Sequence, residues 1–187
     1  MMADAPSTAA PDSGFLTKWA MRLSIGLLVL LLLVFGIGSL LPATFQSHAM
    51  IATTKITPER FWAVVTDPTR CSLSTDPTCV VTLKADVDGL PAWEEQIRGA
   101  LIDVQVIEHD RLKRIVWDLQ DRGGALSTRW VLTMQVNASG STMVAIDETG
   151  QVGGGLNAPI FKWAMFASGG WGPQEYLKRL EKAASGP

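Results

Sequence analysis

Residues 127–137 read STRWVLTMQVN, and their polarity alternates with a period of two. Trp130, Leu132, Met134 and Val136 share one parity, while Arg129, Thr133 and Gln135 share the other. Successive side chains of a strand point to opposite faces, so this stretch predicts a strand with one face in a core and the other in water. The same test picks Ile115, Trp117 and Leu119 within residues 111–120, Ile102, Val104 and Val106 within 101–108, and Val144 and Ile146 within 142–151. HDR, DRGGA and NASGS lie between these runs and carry the chemistry of tight turns and loops.

Working outward, residues 80–87 (VVTLKADV) alternate with Val81, Leu83 and Ala85 on one face, and VDGLP is a turn signal into the strand AWEEQIR. Residues 47–56 (SHAMIATTKI) have the polarity of an edge strand. That gives seven strands joined by short connections, for which an antiparallel meander is the economical topology. A short helix follows the first strand in TPERFWAVVTD. Thr57 is a suitable N-cap, Pro58 fits the first helical position, Glu59 favours the positive end of the helix dipole, and Asp67-Pro68 ends it. Phe61, Trp62 and Val65 form its apolar face.

One face of such a sheet needs a cover, and APIFKWAMFASGGWGPQEYLKRLEKAA is the candidate. Ile160, Trp163, Ala164 and Ala167 form one helical stripe, and Tyr176, Leu177, Leu180 and Ala184 continue a stripe after the Gly and Pro residues at 169–173, which must kink or interrupt the helix. The expected class is α+β: a curved seven-stranded antiparallel sheet gripping a long C-terminal helix, over residues 45–187.

A different signal precedes this domain. Residues 23–41 (LSIGLLVLLLLVFGIGSLL) are nineteen consecutive residues without a charge. At about 1.5 Å rise per residue they span roughly 28 Å, close to the hydrocarbon thickness of a bilayer. We expect a transmembrane helix over 18–43, with Pro42 as its stop and Trp19 near the headgroup zone, after a disordered tail over 1–17 rich in Ala, Pro, Ser and Asp. Lys18 and Arg22 before the span outnumber Lys55 after it, so the positive-inside rule predicts a single-pass protein with a cytoplasmic N-terminus and an extracytoplasmic domain. A cleaved signal peptide is the rival, since Ser47-His48-Ala49 offers small residues at cleavage offsets; the apolar run is longer than an ordinary signal core.

That compartment bears on the two cysteines of the chain, Cys71 and Cys79, which bracket CSLSTDPTC. In an oxidising space a disulfide between them is the leading reading, worth on the order of 2.5 kcal/mol in the chain-entropy model. In the inverted topology they are free thiols. The spacing is not that of a redox CxxC pair, and a zinc site would need ligands beyond His48 and His109, which lack paired spacing, so no metal is expected. A net charge of −2 without a cluster of Lys and Arg argues against nucleic acid. QVGGGLN lacks the Lys-Ser/Thr pair of a phosphate loop and is expected to be a flexible crossover. No nucleophile elbow or paired-histidine motif is present, and no cofactor is implied.

The order strand, short helix, six strands, long helix resembles the helix-grip superfamily of START and birch-pollen-allergen proteins, also labelled SRPBCC or polyketide cyclase/dehydrase-like. TPERFWAVVTD, DGLPAWEEQIRG, IDETGQV and NAPIFKW with EYLKRL carry the resemblance, over about residues 50–182. The chain departs from it where relatives often carry a Trp in a small second helix and this one has the cysteine loop, and at Pro173. Both departures fall near the family's pocket mouth. The resemblance implies a cavity between sheet and helix that takes a hydrophobic small molecule or lipid, with the cysteine loop at its rim.

Within that frame Trp62, Trp93, Trp117, Trp130 and Trp163 are candidate walls of the pocket, or ordinary core. Glu95 shares parity with Trp93 and Ile97, and Glu148 with Val144 and Ile146, so both carboxylates are expected on the inner face. They are candidate ligand-binding residues and a candidate acid/base pair, or they serve turn amides near strand ends. His109 is expected in a solvated turn. Three functions follow: a membrane-tethered module that binds or transfers a hydrophobic molecule, a cyclase- or dehydratase-like enzyme, and a non-catalytic accessory domain filled by its own tryptophans.

Overall fold

The computed structural model describes residues 13–70, 72–73, 78–97, 99–168 and 172–186. In these the chain forms α1 (Ser13–Leu40), β1 (Thr44–Thr53), α2 (Pro58–Val65), β2 (Val80–Leu83), β3 (Ala92–Ile97), β4 (Ala100–Asp110), β5 (Arg114–Asp121), β6 (Leu126–Val136), β7 (Thr142–Val152), α3 (Ala158–Ser168) and α4 (Pro173–Ser185). The seven strands make one antiparallel sheet in the order β1-β7-β6-β5-β4-β3-β2. The expected meander therefore holds from β2 to β7, and β1 closes onto β7.

The inward parities are those of the sequence: Ile102, Val104, Val106, Ile115, Trp117, Leu119, Trp130, Leu132, Met134, Val144 and Ile146 are buried together. Leu83 and Val136, expected inside with them, are exposed, because each ends a strand beyond the reach of the covering helices. Asp88 and Gly89, both at positive φ, turn the chain between Val87 and Leu90, which exchange two backbone hydrogen bonds. This is the Asp-Gly hairpin chemistry of VDGLP. The next turn comes later than HDR implied. β4 runs through His109 and Asp110, and Leu112 adopts positive φ in the turn that follows. Thr57 caps α2, its side chain accepting from the Arg60 amide, and Phe61, Trp62, Val64 and Val65 are buried beneath that helix.

The C-terminal segment departs most from expectation. It is two helices: α4 covers the sheet, burying Tyr176, Leu177, Leu180 and Ala184 against β1, β7 and α2, while α3 meets the sheet at the end of β7. Gly172, at φ 113°, precedes Pro173 at the start of α4, a left-handed conformation that glycine adopts without a Cβ penalty. Helix α3 instead lies along the end of α1. A Cβ on Gly38 would stand 2.5 Å from the Pro159 carbonyl oxygen, so the close approach of the two helices requires glycine there.

Helix α1 begins at Ser13, five residues before the expected start of the span, and Lys18–Leu40 is long and apolar enough to cross a membrane. Its exposed Leu, Ile and Val side chains find no cover among the described residues. Only Leu41, Pro42 and Ala43 separate it from β1, and the Ala43 carbonyl already accepts from the Val152 amide at the end of β7. The first twelve residues of the expected tail lie outside the described residues.

On the outer face, Lys84, Glu94, Asp103 and Arg122 form an ion cluster that links β3, β4 and the segment after β5. The Arg122 guanidinium, with Lys84 beside it, holds the Asp103 carboxyl below the ordinary aspartate range. A carboxyl lowered in the folded state stabilises above its unfolded pKa, and that stability is lost as pH falls through the folded value. Solvent screens this cluster, so the effect is small. Asp103→Asn is expected to lower stability slightly above about pH 4 and to flatten the acid limb below it, read from a stability-against-pH curve.

Candidate functional site

Register places the two buried carboxylates before any question of chemistry arises. Across β1, β7, β6, β5 and β4, the residues Ser47, Glu148, Trp130, Trp117 and Val106 stand opposite one another in one inward-facing row. Glu148 is 1% exposed and takes donors from both flanks. Ser47 Oγ donates to Oε2 at 2.6 Å, Trp130 Nε1 donates to Oε1 at 2.9 Å, and Thr128 Oγ1 donates to Oε1 at 3.3 Å. A buried carboxylate is tolerable where its oxygens are hydrogen-bonded. Here the bonds also tie edge strand β1 to the interior.

Glu95, also 1% exposed, sits two residues after Trp93 on the same face of β3. Its Oε1 accepts from Trp93 Nε1 at 3.1 Å and from the backbone amide of Leu73 at 2.7 Å, and Cys79 Sγ lies 3.7 Å from Oε2. Leu73 is itself buried, and Arg179 of α4 donates to the carbonyls of Ser72 and Leu73 at 3.1 and 3.3 Å. The segment between α2 and β2 is thus fastened from both sides, by a carboxylate on its N–H and a guanidinium on its carbonyls.

The structure does not bring the two carboxylates together. Strands β4, β5 and β6 lie between β3 and β7, which puts the two roughly 19 Å apart along the sheet at ordinary strand spacing. Among the described donors, Ser47, Thr128 and Trp130 serve Glu148, and Trp93 and the Leu73 amide serve Glu95, so each carboxylate anchors its own part of the sheet. Both lie within strands, and Glu95 accepts from the backbone amide of Leu73 outside the sheet.

The tryptophans divide as well. Trp62, Trp93, Trp117 and Trp130 belong to one core cluster with Tyr176, Leu177 and Leu180. Tyr176 meets Trp117 and Trp130 edge-on, with ring centroids at 6.2 and 5.5 Å. The indole N–H of Trp117 has no hydrogen-bond partner among the described residues. Trp163 is elsewhere, on α3, where its Nε1 donates to the Val34 carbonyl of α1 at 2.9 Å. It was expected on the sheet's inner face because its helical stripe is apolar; the stripe has a different neighbour. His109 is exposed at the end of β4 and its ring lies 5.1 Å from that of Trp62, while His48 pairs on the surface with Asp147 at 2.7 Å. Cys71 lies outside the described residues, and so does any bond from it to Cys79.

Four cavities lined by described residues lie outside the tryptophan core. The most apolar of them in its lining side chains, about 230 Å³, sits where α1, β1 and α3 meet, bounded by Leu41, Phe45, Val152, Met165 and Phe166, with Lys162 among them. Gly150 makes room for the Phe45 ring that bounds it: a Cβ there would stand 2.2 Å from that ring. None of these residues stood out in the sequence as a site. The available signal was Phe45, which shares the inward parity of Ser47, Ala49 and Ile51 at the very start of β1.

No protein-family model and no curated protein sequence matches the chain. Solved structures do. A hypothetical protein of Helicobacter pylori aligns over 74% of this chain and 87% of its own, with a TM-score of 0.58 at 12% identity. Truncated norcoclaurine synthase of Thalictrum flavum aligns over 76% and 91%, with a TM-score of 0.53 at 14% identity. Ara h 8.0201 aligns over 76% and 99%, with a TM-score of 0.50 at 8% identity. At such identities the likeness establishes the fold: the domain has the helix-grip, Bet v 1-like architecture.

Proposed function

We propose that this chain is a membrane-anchored module that holds a hydrophobic or amphipathic small molecule at the bilayer surface. The observation that carries the reading is the apolar cavity at the junction of α1, β1 and α3, whose lining begins at Leu41, the residue after the end of the membrane-length helix. A molecule dissolved in the bilayer reaches that cavity without crossing water, and the Lys162 ammonium at its wall can meet a polar or anionic head. Helix-grip proteins as a class offer a hydrophobic interior, which supports the same chemical class of ligand. In this chain the described interior is occupied by its own aromatic side chains.

The anchor is the reading that the strand supports against a cleaved leader. Ala49 is buried in the middle of β1, and a cut after it would remove half of the strand that pairs with β7. With Lys18 and Arg22 on the cytoplasmic side, the domain stands outside the cytoplasm. There Cys71 and Cys79 close a disulfide across the segment that Glu95 and Arg179 hold. A free-thiol assay on protein from its native compartment is expected to find no reactive thiol; two reactive thiols would overturn the bond and the orientation with it.

A second reading is favoured by one observation, the burial of Trp62, Trp93, Trp117 and Trp130 with Tyr176 in a continuous core: an accessory domain that holds no ligand. Native mass spectrometry separates the two. Full-length chain taken in detergent from the membranes of its own host is expected to carry an apolar or amphipathic molecule. A bare polypeptide mass under conditions that preserve the fold favours the accessory domain.

A further inference from the structure

Helix α3 carries an apolar stripe that faces away from the domain. Its inner residues are accounted for: Phe161 and Met165 pack with Leu126 and Val152 at the end of the sheet, and Pro159 and Trp163 meet α1. Of the stripe read from the sequence as the cover of the sheet, Trp163 turns to α1, while Ile160, Ala164 and Ala167 stay open. Ile160 is 54% exposed with Ala164 and Ala167 exposed beside it, Leu156 is 85% exposed in the turn that leads in, and Phe166, 68% exposed, stands against the Trp163 ring on the flank of that stripe. Within α3 the only charge is Lys162.

The position of this surface says what covers it. Trp163 binds the Val34 carbonyl, Pro159 abuts Gly38, and Lys162 Nζ reaches the Ser39 carbonyl at 3.4 Å. Those three α1 residues fall in the last turns of the membrane-length segment, which places α3 within roughly 10 Å of its end at 1.5 Å rise per residue. The open stripe of α3 continues the exposed apolar surface of α1 at that depth. A tryptophan and a lysine at the same level suit the headgroup boundary, where an amphipathic ring and a snorkelling ammonium are both at home.

We infer that α3 is a second membrane element, an interfacial helix docked on the end of α1 with Ile160, Phe166 and Leu156 dipping into the acyl-chain boundary of the leaflet beside the folded domain. This rests on the reading of α1 as a membrane anchor. It fixes the domain against the bilayer at two points instead of one, and it opens the junction cavity, which Phe166 and Lys162 also line, directly toward lipid.

The test is photo-cross-linking of the full chain in phosphatidylcholine vesicles whose acyl chains carry a diazirine, with labelled peptides mapped by mass spectrometry. Label is expected in α1 and also in residues 156–167. In the Ile160→Asp/Phe166→Asp double variant, whose substituted side chains are exposed and leave the core intact, label in α3 is expected to fall by about tenfold while label in α1 stays unchanged. Label in α1 with none in α3 would overturn the inference and leave the anchor standing. Label in neither would overturn the anchor too.

Discussion

Trp130→Ala is expected to lower the unfolding free energy of the domain by about 4 kcal/mol, among the largest effects of any single substitution in this chain. Trp130 is fully buried, its ring lies edge-on to Tyr176, and its N–H is one of three described donors that satisfy Glu148. Truncation would leave a cavity under α4 and take a hydrogen bond from a buried carboxylate, two costs that share a site and do not simply add. Urea unfolding of the full chain in detergent, followed by near-ultraviolet circular dichroism, measures it. Trp130→Phe keeps most of the ring and loses only the N–H, so its loss should be about 1–2 kcal/mol. Equal losses in the two variants would mean that the hydrogen bond to Glu148, and not the packing, dominates.

Glu95→Ala is the second. It strips the acceptor from two buried N–H groups, those of Leu73 and Trp93, at an expected total of about 3 kcal/mol. The loss should be local as well as global, because Leu73 is held to the sheet through that carboxylate. Limited proteolysis between α2 and β2 is expected to speed up in Glu95→Ala well before the domain unfolds. Glu95→Gln retains an amide oxygen for the same two donors and should restore most of the resistance. Resistance unchanged in Glu95→Ala would show that Arg179 alone suffices to hold the segment.

Both substitutions concern residues whose placement was legible and whose partners were not. Parity put Glu95, Glu148, Trp93, Trp117 and Trp130 inside, and the apolar face of α2 did the same for Trp62, because a local period needs no knowledge of the rest of the chain. Which donor reaches which carboxylate depends on register between strands far apart in sequence. Ser47 meets Glu148 only because β1 closes on β7, and Arg179 meets Leu73 only because α4 crosses that loop. The same limit explains the misplaced α3. Its periodicity showed correctly that one face was apolar, but periodicity does not say whether sheet, helix or lipid covers that face. Strand ends failed for a related reason: Val136 and Leu83 keep the inward parity where no helix remains above them.

The proposed function requires the hydrophobic molecule to be held where α1, β1 and α3 meet and not between the sheet and α4. Gln46 lines the junction cavity from an exposed position, so Gln46→Trp can block it without disturbing the core. Trp117→Phe alters the interior instead, removing the unpartnered indole N–H. Native mass spectrometry of the full chain, comparing ligand occupancy in wild type and these two variants, is the most direct measurement. With the molecule at the junction, Gln46→Trp loses most of it and Trp117→Phe keeps it; retention in Gln46→Trp with loss in Trp117→Phe would return the site to the interior.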